Sequence, residues 1–222
     1  MKINIFIPIE TVSREITYKI FLCNYLASRG FRCYLGSKPN INYLIKKTKN
    51  YFYIDKGYHK GVSEKIYSIV KKNKGMVVNL DEEGGVDYSS GSTLLDRYSK
   101  VLFDNADLVF LWGVKQLELI KKNVKVNKNI IVSGHPRFEL LKPKFHFLYK
   151  DEIKKINNRY DNFILVNTNM GFGNNIRGDQ FVKDNYRDRF NNINQIINAD
   201  KKKLEAYKSL IKNLSKKQKK TI

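Results

Sequence analysis

Three adjacent acids, Asp81-Glu82-Glu83, followed directly by Gly84-Gly85, are the densest concentration of reactive groups in the sequence. A carboxylate in such a cluster can take a proton from a hydroxyl as a general base, or attack an electrophilic carbon as a nucleophile. Like charges in a row repel, which raises the proton affinity of at least one of them and suits it to proton transfer. Gly84 and Gly85 let the backbone turn sharply and leave room for a ligand. The same residues serve equally well as a solvated acidic turn, and a bound divalent cation is a third reading.

Other candidates are sparser. Gly134-His135-Pro136-Arg137 opens a helix with Pro at a favoured first position, so exposed amides, His135 and Arg137 can hold an anionic group. A plain strand-to-helix corner accounts for the same residues. Glu10, Ser13 and Arg14 stand at the first strand-to-helix junction, where Ser13 is expected to cap the helix and the charges can be ordinary helix-end charges or ligand contacts. Asn167-Thr168-Asn169, with Gly171 and Gly173, is a polar loop able to line a cleft through Asn167 and Asn169, although Asn and Gly are also common turn residues. His59 and His146 have no evident partners, and no metal-ligand set is assigned.

The elements that must position these groups follow a βαβα rhythm, in which short apolar runs alternate with amphipathic stretches. Strands are expected at Ile3–Ile9, Phe31–Leu35, Tyr51–Ile54, Met76–Leu80, Leu108–Trp112 and Ile130–Ser133. The first helix is expected over Ser13–Arg29, with Ile16, Ile20, Cys23 and Ala27 on its buried face and Gly30 as its stop. Another is expected over Val62–Lys72, and one from Ser92 or Thr93 to about Asp104. This is the pattern of an α/β protein with an open, doubly wound parallel sheet, in which ligands sit beyond the carboxyl ends of the strands. Asp81-Glu82-Glu83 and Gly134-His135-Pro136-Arg137 both fall there. Phe163–Val166 reads as the first strand of a second sheet.

The formal charge is +21, and 33 of the 42 basic residues are lysine. Such an excess ordinarily points to nucleic acid or an anionic membrane. The lysines come with abundant Asn, Ile, Tyr and Phe, all with A/T-rich codons, and without zinc-finger spacing, a recognition-helix signature or an arginine–aromatic stripe. A solvated or membrane-proximal basic surface is therefore expected rather than a nucleic-acid reader. No run approaches the roughly 18 apolar residues of a membrane span, and the N-terminal Ile3–Ile9 stretch lacks a signal-peptide pattern. The expected location is cytoplasmic, with peripheral contact at the inner face of an anionic membrane. Cys23 and Cys33 are expected as buried thiols in a reducing compartment.

Several pieces in this order resemble one family. They are the first strand leading to Glu10 and Ser13-Arg14-Glu15-Ile16, then Leu26-Ala27-Ser28-Arg29-Gly30 and Asn79-Leu80-Asp81-Glu82-Glu83-Gly84. Gly134-His135-Pro136-Arg137-Phe138 and Phe163-Ile164-Leu165-Val166-Asn167-Thr168-Asn169-Met170-Gly171 complete the set. The chain resembles the bacterial surface carbohydrate (surface polysaccharide) biosynthesis proteins, which are similar to GT-B type glycosyltransferases. Position 135 is His where the family pattern carries Asn.

The resemblance implies a Rossmann-like N-terminal domain over 1–141 on the acceptor side, a linker over 142–160, and a second α/β domain that begins in 161–222 and is truncated in a lysine-rich helical segment. It implies transfer of a sugar from a nucleotide-activated donor to a glycan or lipid-linked acceptor, with the nucleotide sugar as substrate and no further cofactor. Asp81, Glu82 and Glu83 become candidates for the catalytic carboxylate, and the truncation would leave this chain inactive. Two alternatives share the architecture, a nucleotide-sugar epimerase and a polyol-phosphate transferase of the teichoic acid kind. A basic nucleic-acid-binding protein is the non-enzymatic alternative, which the charge permits and the motifs do not support.

Overall fold

The structure is a computed structural model and describes residues 2–83, 91–126 and 129–218. Gly84 and Gly85 lie outside the described residues. Runs rich in β-branched and aromatic residues form six strands: β1 (Asn4–Ile9), β2 (Arg32–Ser37), β3 (Tyr51–Asp55), β4 (Met76–Leu80), β5 (Leu108–Leu111) and β6 (Asn129–Val132). They pair in parallel throughout, in the order β2-β1-β3-β4-β5-β6. The connecting helices are α1 (Val12–Ser28), α2 (Lys38–Lys47), α3 (Ser63–Lys72), α4 (Ser92–Arg97), α5 (Lys100–Asn105) and α6 (Val114–Asn123). After β6 come the short α7 (Pro136–Glu139) and a 3-10 helix over Pro143–Tyr149. All six expected strands are present, and their shared direction gathers every carboxyl end along one edge.

The strand order dictates how the faces are covered. The first crossover runs outward from β1 to β2, and the later ones run the other way; with right-handed connections this sends α1 to one face and the other crossover helices to the opposite face. On that opposite face Phe6, Tyr51, Tyr53, Val77, Val109 and Leu111 are at most 2% exposed. They pack with Ile41 and Ile45 of α2, Tyr67 and Val70 of α3, Leu102 of α5 and Ile120 of α6. Burying each such side chain stabilises the fold by about 1.5–3 kcal/mol. The alternate residues Phe52, Ile54, Leu108 and Phe110 are only half-buried.

Four local expectations are corrected. The α1 N-cap is Thr11 rather than Ser13, and neither hydroxyl caps the helix; the Glu15 carboxylate instead accepts from the Glu10 and Thr11 amides at 3.2 and 3.1 Å. The buried side of α1 carries Glu15, Tyr18 and Lys19, while Ile20 is 45% exposed. The helix expected up to Asp104 is broken at Tyr98 and Ser99, where burial of the Tyr98 ring takes the backbone out of the helix. Cys23 and Cys33 are free thiols but half-buried rather than buried.

The chain divides into two compact units at Tyr149 and Lys150. The second unit holds α8 (Lys150–Arg159), α9 (Gly178–Tyr186) and α10 (Ile193–Gln218). Phe163–Val166 forms no strand and is exposed, because no neighbouring strand among the described residues of that unit offers it a ladder. A small core unites Val182, Ile193 and Ile197 with Phe172, Phe181 and Tyr186. Gly173 serves this packing: a Cβ there would stand 2.6 Å from the Ile197 carbonyl oxygen, and its amide and that of Phe172 donate to Asp200. Among the described residues no helix is long and apolar enough to cross a membrane.

Candidate active site

The carboxyl end of β4 delivers the three acids into three different surroundings. Asp81 is 1% exposed. Its Oδ2 accepts from Arg97 Nε at 3.1 Å, its Oδ1 from the Glu83 amide at 3.1 Å, and its carbonyl from Trp112 Nε1 at 2.7 Å. Gly57, at φ +142°, sits against this carboxylate, and a Cβ there would meet Asp81 Oδ1 at 2.9 Å. Burial raises the Asp81 pKa, opposed by Arg97 and the Glu83 amide.

Glu82 turns inward, and its carboxylate is fully enclosed. The Tyr18 hydroxyl donates to Oε1, and Lys19 Nζ lies 3.4 Å from the same oxygen. Oε2 has no hydrogen-bond partner; His135 Nε2 stands 3.7 Å away and Arg137 Nη1 3.6 Å away. Burial pushes the Glu82 pKa up to about 7, reinforced by the nearby charge of Glu15 and opposed by Arg137. Glu83 faces outward with its side chain 50% exposed, paired to Arg14 Nη1 at 2.9 Å, while its carbonyl accepts from Arg97 Nη2 at 3.2 Å.

Around Glu82 the structure assembles a charged cluster in which Glu15, Lys19 and Lys56 join Glu10 without having been singled out as site residues in the sequence. Glu15 is fully buried and takes Lys19 Nζ at 2.6 Å and Lys56 Nζ at 3.0 Å. Its burial favours a raised pKa, but these ammonium groups and the Glu10 amide bring it down to about 2. Lys19 also donates to the Pro8 carbonyl at 2.7 Å, and burial lowers its pKa. Lys56, just beyond β3, bridges Glu15 to Glu10, which pairs with Lys38 at 2.6 Å as well. Burial works to raise Glu10, yet Lys38 and Lys56 hold it at about 2.

His135 is 5% exposed, set edge-on against Tyr18 and tilted against Trp112, with ring centroids 5.0 Å away in both cases. Its Nδ1 accepts from the Arg137 amide at 3.1 Å, so the proton of the neutral ring belongs on Nε2, facing Glu82. Burial, with the charges of Arg137 and Lys19, pulls the His135 pKa down to about 4 and keeps the ring neutral at pH 7. Arg137 Nη2 donates to the Glu82 carbonyl at 3.2 Å.

Of the residues singled out in the sequence, Glu10, Arg14, Asp81, Glu82, Glu83, His135 and Arg137 therefore converge on one edge of the sheet. Ser13 is exposed on the first turn of α1. Asn167 and Asn169 belong to the second unit and are exposed. The missed members are Glu15, Tyr18, Lys19 and Lys56; their one sequence signal is the Glu15–Lys19 spacing of four, which places both on the same side of α1. No group of three or more His, Cys, Asp or Glu side chains among the described residues is arranged to hold a metal ion.

Chemically, the edge offers two solvent-reaching carboxylates, Glu10 and Glu83, each held by basic partners, above a proton-binding interior group. Hydroxyl-bearing and anionic ligands both suit such a rim. Comparison with family models, with curated proteins and with solved structures returns no match.

Proposed function

We propose that the first unit is the acceptor-side half of a GT-B-like glycosyltransferase of bacterial surface polysaccharide assembly. One observation supports this reading above the others. At the carboxyl end of a central strand, where open α/β sheets hold their ligands, a single carboxylate of the acidic triplet reaches solvent, Glu83, and Arg14 holds it. Asp81 and Glu82 are buried and committed to other partners.

In this reading Glu83 is the catalytic residue. It takes the proton of an acceptor hydroxyl, the oxygen bonds to the anomeric carbon of the nucleotide sugar, and the bond from that carbon to the phosphate breaks with its electron pair on the nucleotide. Arg14 is a positioning residue that orients Glu83. Glu10 and the partly exposed Arg137 contact substrate, and Glu82 with His135 holds the floor of the site.

The test is transfer from a panel of nucleotide sugars to membrane-extracted acceptors, followed by mass spectrometry. It compares the 222-residue chain with its Glu83→Gln variant. Glu83→Gln is expected to lower turnover by about 10²–10⁴-fold, the usual worth of a general base, with an unchanged unfolding midpoint. An undiminished rate in Glu83→Gln, or no nucleotide-sugar binding by either form, refutes the reading.

A further inference from the structure

The half-covered face of the sheet carries an open cavity of about 850 Å³, within the size range of small-molecule sites. Its floor is the set of alternate side chains left half-buried on the central strands, Phe52, Ile54, Leu108 and Phe110, with Val78 between them. Phe21 and Leu22 of α1 line it together with Phe138 and Phe145, and Phe21 packs edge-on against Phe145 with ring centroids 5.0 Å apart. Its charged side chains and His135 all come from the segment that follows β6. His135 is shared with the candidate active site, and Lys142 and Lys144 stand at the lip. Glu139 gathers both ammonium groups, at 2.6 and 3.1 Å, so two positive charges share one negative one. Both lysines are more than half exposed and keep donors free for an anion.

Beyond the lip the surface stays apolar, with Phe138 49%, Leu141 60% and Phe147 69% exposed. Aromatic and aliphatic side chains interleaved with lysines suit a membrane–water interface, where the lysine heads reach outward. An apolar floor with a cationic lip matches a molecule of the same polarity: a hydrocarbon chain that needs no hydrogen-bond partner, ending in an anionic head.

We infer that this cavity binds a lipid phosphate, its hydrocarbon chain lying over the central strands and its phosphate at Lys142 and Lys144. As the seat of a lipid-carried acceptor the site rests on the transferase reading, because the cavity and the candidate active site share His135; binding itself can be measured without that reading.

The test uses the full chain with decyl phosphate, decanol and inorganic phosphate, followed by native mass spectrometry and by the fluorescence of Trp112. This is the only tryptophan, and its ring centroid is 5.0 Å from those of His135 and Phe138. Decyl phosphate is expected to bind one to one and inorganic phosphate not at all. Filling the cavity with Ile54→Phe and Leu108→Phe should weaken decyl phosphate and decanol alike by roughly tenfold or more. Lys142→Gln with Lys144→Gln should weaken decyl phosphate roughly tenfold and leave decanol unchanged. These exposed lysines keep the test decisive if the filled cavity fails to fold.

Absence of decyl phosphate binding, or binding indifferent to both sets of variants, overturns the inference. So does sedimentation in which the filled cavity breaks a dimer of this chain, since the face would then be a contact between copies. Lipid binding without sugar transfer would refute the transferase reading alone, and transfer to a water-soluble glycan without lipid binding would refute the cavity assignment alone.

Discussion

Replacing Glu82 by Gln should change how the stability of the first unit depends on pH, in a direction the geometry fixes. Burial raises the carboxyl from an ordinary 4.5 to about 7. Between those values the folded chain keeps a proton that the unfolded chain has released. The stability this confers is fully present below pH 4.5 and is lost as pH rises through 7. A displacement of about 2.5 units corresponds to about 3 kcal/mol at 1.36 kcal/mol per unit. His135 acts in the opposite sense: lowered from 6.5 to about 4, its contribution is present above 6.5 and lost as pH falls through 4. The two slopes offset each other in the wild type between about pH 4.5 and 6.5. Buried Asp55, raised to about 6, acts in the same sense as Glu82 and is common to both proteins, so it cancels in the comparison. Urea unfolding followed by Trp112 fluorescence reports on this site, because the indole donates to the Asp81 carbonyl. The stability of Glu82→Gln minus that of the wild type should rise by about 3 kcal/mol from pH 4.5 to pH 8. A difference constant within about 1 kcal/mol over that range, close to the extrapolation error, would show that Glu82 is ionised in the folded protein and would refute the reasoning.

Two further substitutions probe the supports of the site. Gly57→Ala places a Cβ against Asp81 Oδ1 on a backbone at φ +142° and should cost about 1–3 kcal/mol in urea unfolding; a neutral result would mean that the carboxylate moves freely. Ser13→Ala should fall within about 0.5 kcal/mol of wild type, whereas Glu15→Gln takes the close anion from buried Lys19 and leaves Lys56 with Glu10 alone, and should cost about 3–5 kcal/mol by the same measurement. The reverse ranking would restore Ser13 as the cap.

The strands were legible because buried parallel strands are written as apolar runs, and Met76–Leu80 and Leu108–Leu111 leave little choice. The site's position was legible because the topology sends ligands to the carboxyl edge, and the acidic triplet begins one residue after β4. The buried face of α1 was not. Ile16, Ile20, Cys23 and Ala27 have helical spacing, yet the helix turns Glu15, Tyr18 and Lys19 inward. A Glu–Lys pair four residues apart looks the same in sequence on a wet surface as in a dry site; only the arrival of Glu82 and Lys56 from other strands makes it a buried cluster. Phe163–Val166 shows the complementary failure, since an apolar β-prone run is a strand only where a partner edge exists.

Three consecutive acids end up with three different tasks because residues leaving a strand point alternately to its two sides. Asp81 meets Arg97 and the space left by Gly57, and becomes a buried ion pair. Glu82 meets Tyr18, Lys19 and His135 on the α1 side, where the nearby charge of Glu15 reinforces the burial that favours its protonated form. Glu83 has left the strand edge, and among the described residues its side chain pairs with Arg14 and reaches solvent. The chemistry of each acid is thus assigned by its neighbours, and those of Glu82 come largely from α1, the one crossover helix on its face among the described residues. The same lone helix leaves the central strands of that face half-covered and opens the cavity that ends at His135. Site and cavity therefore share one origin in the strand order, and a ligand spanning both would join the open sheet face to the carboxylate edge.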